Sequence, residues 1–403
     1  MNPSTTPQVI SHRGAYVMIA AFSAVMYAVL LTYPAMTDQL IEAHDMEADK
    51  IGLLFSVEMG VLSLATLPAY LWLKRVSLVP IMVLLTTLMV FGNILSSIAT
   101  TFGLLASARG LTALAAGSMV VVILAFCRRM ANSSRALGIW VTAQLAMAAV
   151  MLGLYPWTFA RMDLGGVYLA HAGIIALCLL TLPSVRGISF RDEDAGSVVK
   201  QDIGESFRWA PAIFGLAAIL IFYASLHSVW ALTGLLASAG GISADTTSLI
   251  LSFATIAGVA SALLATLIGD TKYRSALTTL GLGAMAISVL LFIGAPHAAR
   301  FALAAILFKF AWTFALPFIM ASLADLPRSD QVMNSFNLMN GIGGAIGPAL
   351  GGILVARTGS LDLMLVIGAI GLGLTIVCTM VLNTPRLRKP KTTAVVEPEP
   401  ALV

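Results

Sequence analysis

Apolar residues run along this chain in long blocks, separated by short connectors in which the charged residues collect. A block of about 20 apolar residues can satisfy its backbone inside hydrocarbon only as a helix, because no water is present to pair a free N–H or C=O, and a membrane strand needs about half that length. The pattern predicts twelve helices, near 14–36, 51–73, 78–99, 103–127, 136–157, 165–185, 211–236, 246–268, 276–294, 300–323, 331–356 and 361–382. The first block is longer than an ordinary signal-peptide core, so it is expected to be retained. The fold class expected is an all-α membrane protein with twelve transmembrane helices.

Composition agrees, since 59% of residues are hydrophobic and only 10% charged, with a mean hydropathy of +0.94. No soluble globular domain has that balance. Lys and Arg fall in alternate connectors. Arg13, Lys74, Arg75, Arg128, Arg129, Arg135, Arg186, Arg274, Arg328 and the basic C-terminal run lie on one side, whereas the other holds Lys50, Arg161, Arg300 and Arg357 beside the acidic loop of Glu42, Asp45, Glu47 and Asp49. Short cytoplasmic loops retain positive charge, which places both termini in the cytoplasm. The net charge of +4 therefore reflects topology, and no nucleic-acid partner is expected. Short loops without organelle signals suit a bacterial inner membrane. Cys127, Cys178 and Cys378 lack pairing or ligand spacing, so neither a disulfide nor a metal is expected.

The longest internal polar stretch, with Asp192, Glu193 and Asp194, reads as a solvated cytoplasmic linker over 186–210. It separates an N-terminal six-helix bundle, 1–185, from a C-terminal one, 211–383, and a tail without order is expected over 384–403. Residues recur at a spacing near half the chain: Tyr27 with Tyr223, Ala48 and Asp49 with Ala244 and Asp245, Leu53 with Leu249, Ser56 with Ser252. Gln144 and Asn340, both amides, fall at the same spacing. Internal symmetry of two six-helix halves is expected of a rocking transporter.

Predicted helix 11 carries the run GGAIGPALGG from Gly343 to Gly352. Between predicted helices 8 and 9, Gly269 and Asp270 are followed by Arg274, and Arg109 opens predicted helix 4. With these features the chain resembles the major facilitator superfamily from Gly14 to Leu382. The resemblance implies two pseudo-symmetric bundles, alternating access, a monomer, a path lined by predicted helices 1, 4, 7 and 10, and gating roles for Gly343, Gly347, Pro348, Gly351, Asp270 and Arg274. There are departures. Predicted helix 5 offers only Gly153 and Pro156 of the antiporter signature, the loop at Lys74 and Arg75 lacks the usual Asp and Gly, and no Gln follows Arg109. Independently of the family, small residues four apart let helices approach closely, for static packing or for sliding.

Intramembrane charge carries the chemistry, since each charge at the bilayer centre costs at least about 2.5 kcal/mol. Glu58, Arg109 and Lys309 qualify. Arg109 and Lys309 occupy corresponding helices of the two halves and could bridge one anion across a central cavity, the guanidinium holding a carboxylate with two hydrogen bonds. Arg109 could equally pair with Glu58. A carboxylate held between burial, which disfavours its charge, and a cation, which favours it, can also load and release a proton. Tyr223, His227 and Trp230 share one helical face. With Tyr27, Gln144 and Asn340 they are candidate cavity residues, although Tyr and Trp also form interfacial belts and amides also join helices.

No nucleophile elbow, phosphate loop or His cluster appears, so an enzyme is not expected and no cofactor is implied. The expected function is secondary active transport of a small organic anion such as a carboxylate, with protons. Proton-coupled export of drugs or metabolites is the alternative.

Overall fold

The computed structural model describes residues 13–73, 75–188, 190, 209–269, 271–324 and 329–383. Among them the regular structure is helical: α1 (Arg13–Met26), α2 (Ala28–Thr32), α3 (Thr37–His44), α4 (Ala48–Leu73), α5 (Leu78–Ser97), α6 (Phe102–Arg128), α7 (Ser133–Phe159), α8 (Leu164–Leu177), α9 (Trp209–Ala231), α10 (Thr233–Ala239), α11 (Ala244–Ile268), α12 (Arg274–Leu290), α13 (Ala298–Ala324), α14 (Ser329–Thr358) and α15 (Leu361–Leu382). Most of the linker, the C-terminal tail, Lys74 and Asp270 lie outside the described residues.

Ten helical segments among the described residues are long and apolar enough to span a membrane, eleven if the bent pair 13–26 and 28–44 is one span. The expected twelve uniform helices are thus corrected in three places. The first predicted span bends by 50° at Tyr27 and tightens into a 3-10 turn over Tyr33–Met36. Pro34 explains the turn, since its ring would clash with the carbonyl one turn back in an α-helix. The sixth predicted span is α-helical only to Leu177 and continues as a 3-10 stretch over Cys178–Val185. The seventh is interrupted at Leu232. In addition α12, at 17 residues, falls short of a full apolar span.

Helix starts follow local capping chemistry. The side chains of Thr101, Asn132, Asp163, Ser243 and Ser360 accept hydrogen bonds from N–H groups in the first turns of α6, α7, α8, α11 and α15. Gly269 ends α11 at φ 60°, ψ −147°, a backbone region open essentially to glycine alone.

Helix partnerships repeat along the chain. In the first half α4 packs on α6, α6 on α5, α5 on α8 and α1 on α7; in the second α11 packs on α13, α13 on α12, α12 on α15 and α9 on α14. The halves meet where α4 lies against α14 and α7 against α11. Both pairs run antiparallel. Toward the end at which α4 and α11 begin, here the distal end, two hydrogen bonds between described residues cross between halves: Ser238 Oγ donates to Asp38 Oδ1 at 2.6 Å and Ser252 Oγ to the Ala149 carbonyl at 2.8 Å.

Helix α14 touches both halves through different glycines. A Cβ on Gly343, Gly347 or Gly351 would press into Leu220, Ala224 or Ser228 of α9, within the second half. The first-half helix α4 is met instead through Gly341, Gly344, Pro348 and Gly352, which approach Ser63, Met59, Gly52 and Ala48. Of the expected gating residues in this run, then, only Pro348 faces the other half. Gly347→Ala should lower stability by on the order of 1–3 kcal/mol in a detergent melt because the added methyl meets the Ala224 carbonyl. Gly283→Ala, where nothing lies within 4 Å, should be neutral or mildly stabilising.

Candidate functional site

Two buried charge centres occupy different halves. In the first, Glu58 on α4 and Arg109 on α6 are each 3% exposed. Arg109 Nε donates to Glu58 Oε1 at 2.8 Å and Nη2 to Oε2 at 2.9 Å, so the carboxylate is held by two parallel bonds. Its Nη1 donates to Asn93 Oδ1 at 3.2 Å, and Asn93 Nδ2 in turn donates to the Met89 carbonyl at 2.8 Å. The guanidinium carbon lies 5.3 Å from the centre of the Tyr168 ring. Every charge here has a partner, which is what allows an ion pair to persist away from water.

Beside this pair is a cavity of about 20 Å³ lined by Glu58, Asn93, Arg109, Thr112 and His171 together with apolar side chains of α1, α2, α4, α5, α6 and α8. All its lining residues belong to the first half. Arg109 thus meets Glu58 within its own half, and the anion expected to bridge Arg109 and Lys309 has no counterpart in this geometry.

The second centre is Lys309 on α13, 2% exposed. Its ammonium sits 3.7 Å from the ring centre of Trp230 on α9 and 4.2 Å from that of Trp312, three residues along its own helix. Among the described residues no carboxylate pairs with it. The two indole faces supply about 2 kcal/mol of cation–π attraction when water is excluded. They leave the three N–H donors of the ammonium without an oxygen acceptor among the described residues.

Rings continue from this centre toward the first half. Trp312 lies 6.2 Å from His227, which stacks on Tyr223 at 5.4 Å and reaches Phe55 on α4 at 5.8 Å; Phe55 then meets Tyr33 edge-on at 5.3 Å. His227 Nδ1 is 3.0 Å from the Tyr223 carbonyl. Of the candidates, therefore, Tyr223, His227, Trp230 and Lys309 come together. Tyr27 marks the bend of the first span. Gln144 on α7 donates to the Trp140 carbonyl of its own helix at 3.1 Å, and Asn340 Oδ1 on α14 is buried without a hydrogen-bond partner. Arg274 donates to the Ala321 carbonyl at 3.1 Å, fastening the start of α12 to the end of α13.

The sequence profile of the Major Facilitator Superfamily matches residues 15–330. The chain belongs to that superfamily. Its members are transporters, and the helical membrane architecture above is of that kind. Among solved structures the fold is shared with a mutant of the nucleoside transporter NupG, at TM-score 0.73 and 14% identity over 92% of this chain and 98% of that one. A bacterial homologue of the human lysosomal transporter Spinster, solved inward-facing and occupied, matches at TM-score 0.68 and 15% identity over 94% and 97%. No curated protein matches the sequence significantly.

In this superfamily member several residues around the two centres escaped the reading of the sequence. Trp312 had a signal, lying three residues from Lys309 and so on the same helical face. Asn93, Tyr168 and His171 had none, since each is a single polar residue in an apolar block of another helix. Glu58→Gln or Arg109→Gln should each destabilise the protein by about 3–5 kcal/mol, by leaving a buried charge without its partner. The double substitution should lose clearly less than the sum of the two, as read by unfolding in detergent micelles.

Proposed function

We propose that this transporter works by alternating access across twelve spans in two bundles, and takes up a small organic anion together with a proton. The observation that carries this reading is the Lys309 ammonium, buried between two indole rings with no carboxylate beside it among the described residues. A buried cation without an anion favours one supplied by a ligand, because the indole faces offset only part of its desolvation. Arg109, already neutralised by Glu58, is the weaker anion site. The aromatic faces of Tyr223, His227 and Trp312 extend beside Lys309 toward the other half, which suits an anion with an apolar or planar body.

The proton is held by Glu58. When that carboxylate takes a proton it ceases to neutralise Arg109, and α4, whose other contacts grip α14 at Gly52 and Gly60, loses one of its ties to α6. That links a charge change to the surface on which the bundles rock. The protein is placed in a bacterial inner membrane as a monomer with both termini cytoplasmic. The distal end then faces outward.

The ring system favours one further reading, a planar neutral solute that stacks between aromatic faces. NupG carries nucleosides, so nucleosides belong in the same test. Purified protein is melted against carboxylates, inorganic anions, nucleosides, sugars and cationic drugs, and the series is repeated for Lys309→Gln and Arg109→Gln. A ligand at about 100 times its Kd stabilises by about 2.7 kcal/mol. Carboxylates should raise the melting temperature of the native protein and of any folded Arg109→Gln variant, but not that of Lys309→Gln. Stabilisation by nucleosides or cationic drugs alone, unchanged by Lys309→Gln, would move the assignment to a neutral-solute carrier or an exporter.

A further inference from the structure

His171, on α8, has no part in the function as described so far, yet its position beside the Glu58–Arg109 pair is specific. The side chain is 2% exposed. It lines the same cavity as Glu58, Asn93 and Arg109. One ring nitrogen is satisfied by the backbone of Val167, one turn back on α8. The other, Nε2, is buried with no hydrogen-bond partner. A buried polar atom in that condition is uncommon in a folded protein and calls for a water or an ion that completes it.

The cavity supplies the space. A water needs about 10–15 Å³ of cavity and two to four polar partners, and this one has about 20 Å³ with a carboxylate, a carboxamide, a guanidinium and an imidazole on its wall. Organic solutes and hydrated metal ions are excluded on size alone.

We infer that this cavity is a proton-binding site of the first bundle, in which one resident water connects His171 Nε2 to the Glu58 carboxylate. With Nδ1–H donating to the Val167 carbonyl, Nε2 offers a lone pair to the water. A proton taken up on Nε2 from a hydronium ion of the bulk solvent, which leaves as water, passes to the resident water's oxygen as that water releases one of its own protons to a Glu58 oxygen. One N–H bond breaks and one carboxyl O–H bond forms, and the water is regenerated. The new carboxylic acid gives up a bond from Arg109, which keeps its bond to Asn93. His171 is thus the relay and Glu58 the acceptor.

The ionisable groups facing the site are few. They are Glu58 from α4, Arg109 from α6 and the hydroxyls of Tyr33, Tyr155 and Tyr168 from the 3-10 turn, α7 and α8. From α5 comes only the neutral Asn93, and α1 and α2 contribute apolar side chains. The site is also separate from Lys309, so protons and substrate would bind in different halves and communicate through the contact of α4 with α14.

This inference rests on the proton-coupled reading above, but its test measures proton binding without transport. The melting temperature of the full-length protein in detergent is followed from about pH 5 to about pH 8 for the native chain, His171→Gln and His171→Asn. The same His171 substitutions are made in a Glu58→Gln/Arg109→Gln background, which removes both charges together. A proton shared with Glu58 makes the native-minus-variant difference change by roughly 2 °C across that range. The change disappears in the charge-free background. A constant offset at every pH, or the same pH dependence in both backgrounds, would overturn the relay. A high-resolution map that shows this cavity empty would overturn the water. Neither outcome bears on the carboxylate series with Lys309→Gln, which tests the anion site separately.

Discussion

Hydrocarbon gives a buried charge no water to turn to, so each ionic group in this protein must find its compensation within the fold. Glu58 and Arg109 meet that demand inside one half, with two parallel hydrogen bonds and a third to Asn93. Pairing them requires α4, α5 and α6 to converge at one depth, and the repeated partnerships of the second half bring α11, α12 and α13 together in the same way. There the corresponding position holds Lys309, which has indole rings where Arg109 has a carboxylate. The two halves share a scaffold and differ in how they compensate charge.

Movement between such halves depends on how closely their helices approach. With lipid as apolar as the side chains, helix association gains little from burial and relies on contact at short range. Helix α14 achieves this on two sides, with Gly343, Gly347 and Gly351 against α9 and Gly341, Gly344, Pro348 and Gly352 against α4. It therefore carries the second half's framework to the boundary with the first. Glu58 lies between Gly52 and Gly60 on the same α4, so the ion pair stands on the helix that forms the junction. The aromatic series from Trp312 through His227 to Phe55 crosses that junction as well. Any relative motion of the halves must repack it.

The chain's apolar blocks by themselves determined that the protein is helical and membrane-embedded, because only helices satisfy so long a backbone in lipid. They also determined most helix limits, through caps such as Asp163 and Ser243 that act locally. The three intramembrane charges stood out for the same reason, being costly wherever they point. Even the 3-10 turn at Tyr33–Met36 had a local sign in Pro34, although the apolar run over 14–36 hid it.

Only the tertiary structure decided which way each helix is turned. In a soluble protein the polar face of a helix marks its outside, but here both lipid and core are apolar, and the rotation about each axis leaves almost no trace in the sequence. Whether Arg109 faces Glu58 or a central cavity depends on that rotation, and so does the division of the α14 glycines between two partners. Asn93 and His171 come from helices far apart along the chain and meet at one small cavity only once α5, α6 and α8 are packed. Lys309 lies one helical turn from Trp312, which is local, but its lack of a counter-charge among the described residues is a property of the assembled fold, set by which side chains the neighbouring helices turn toward it.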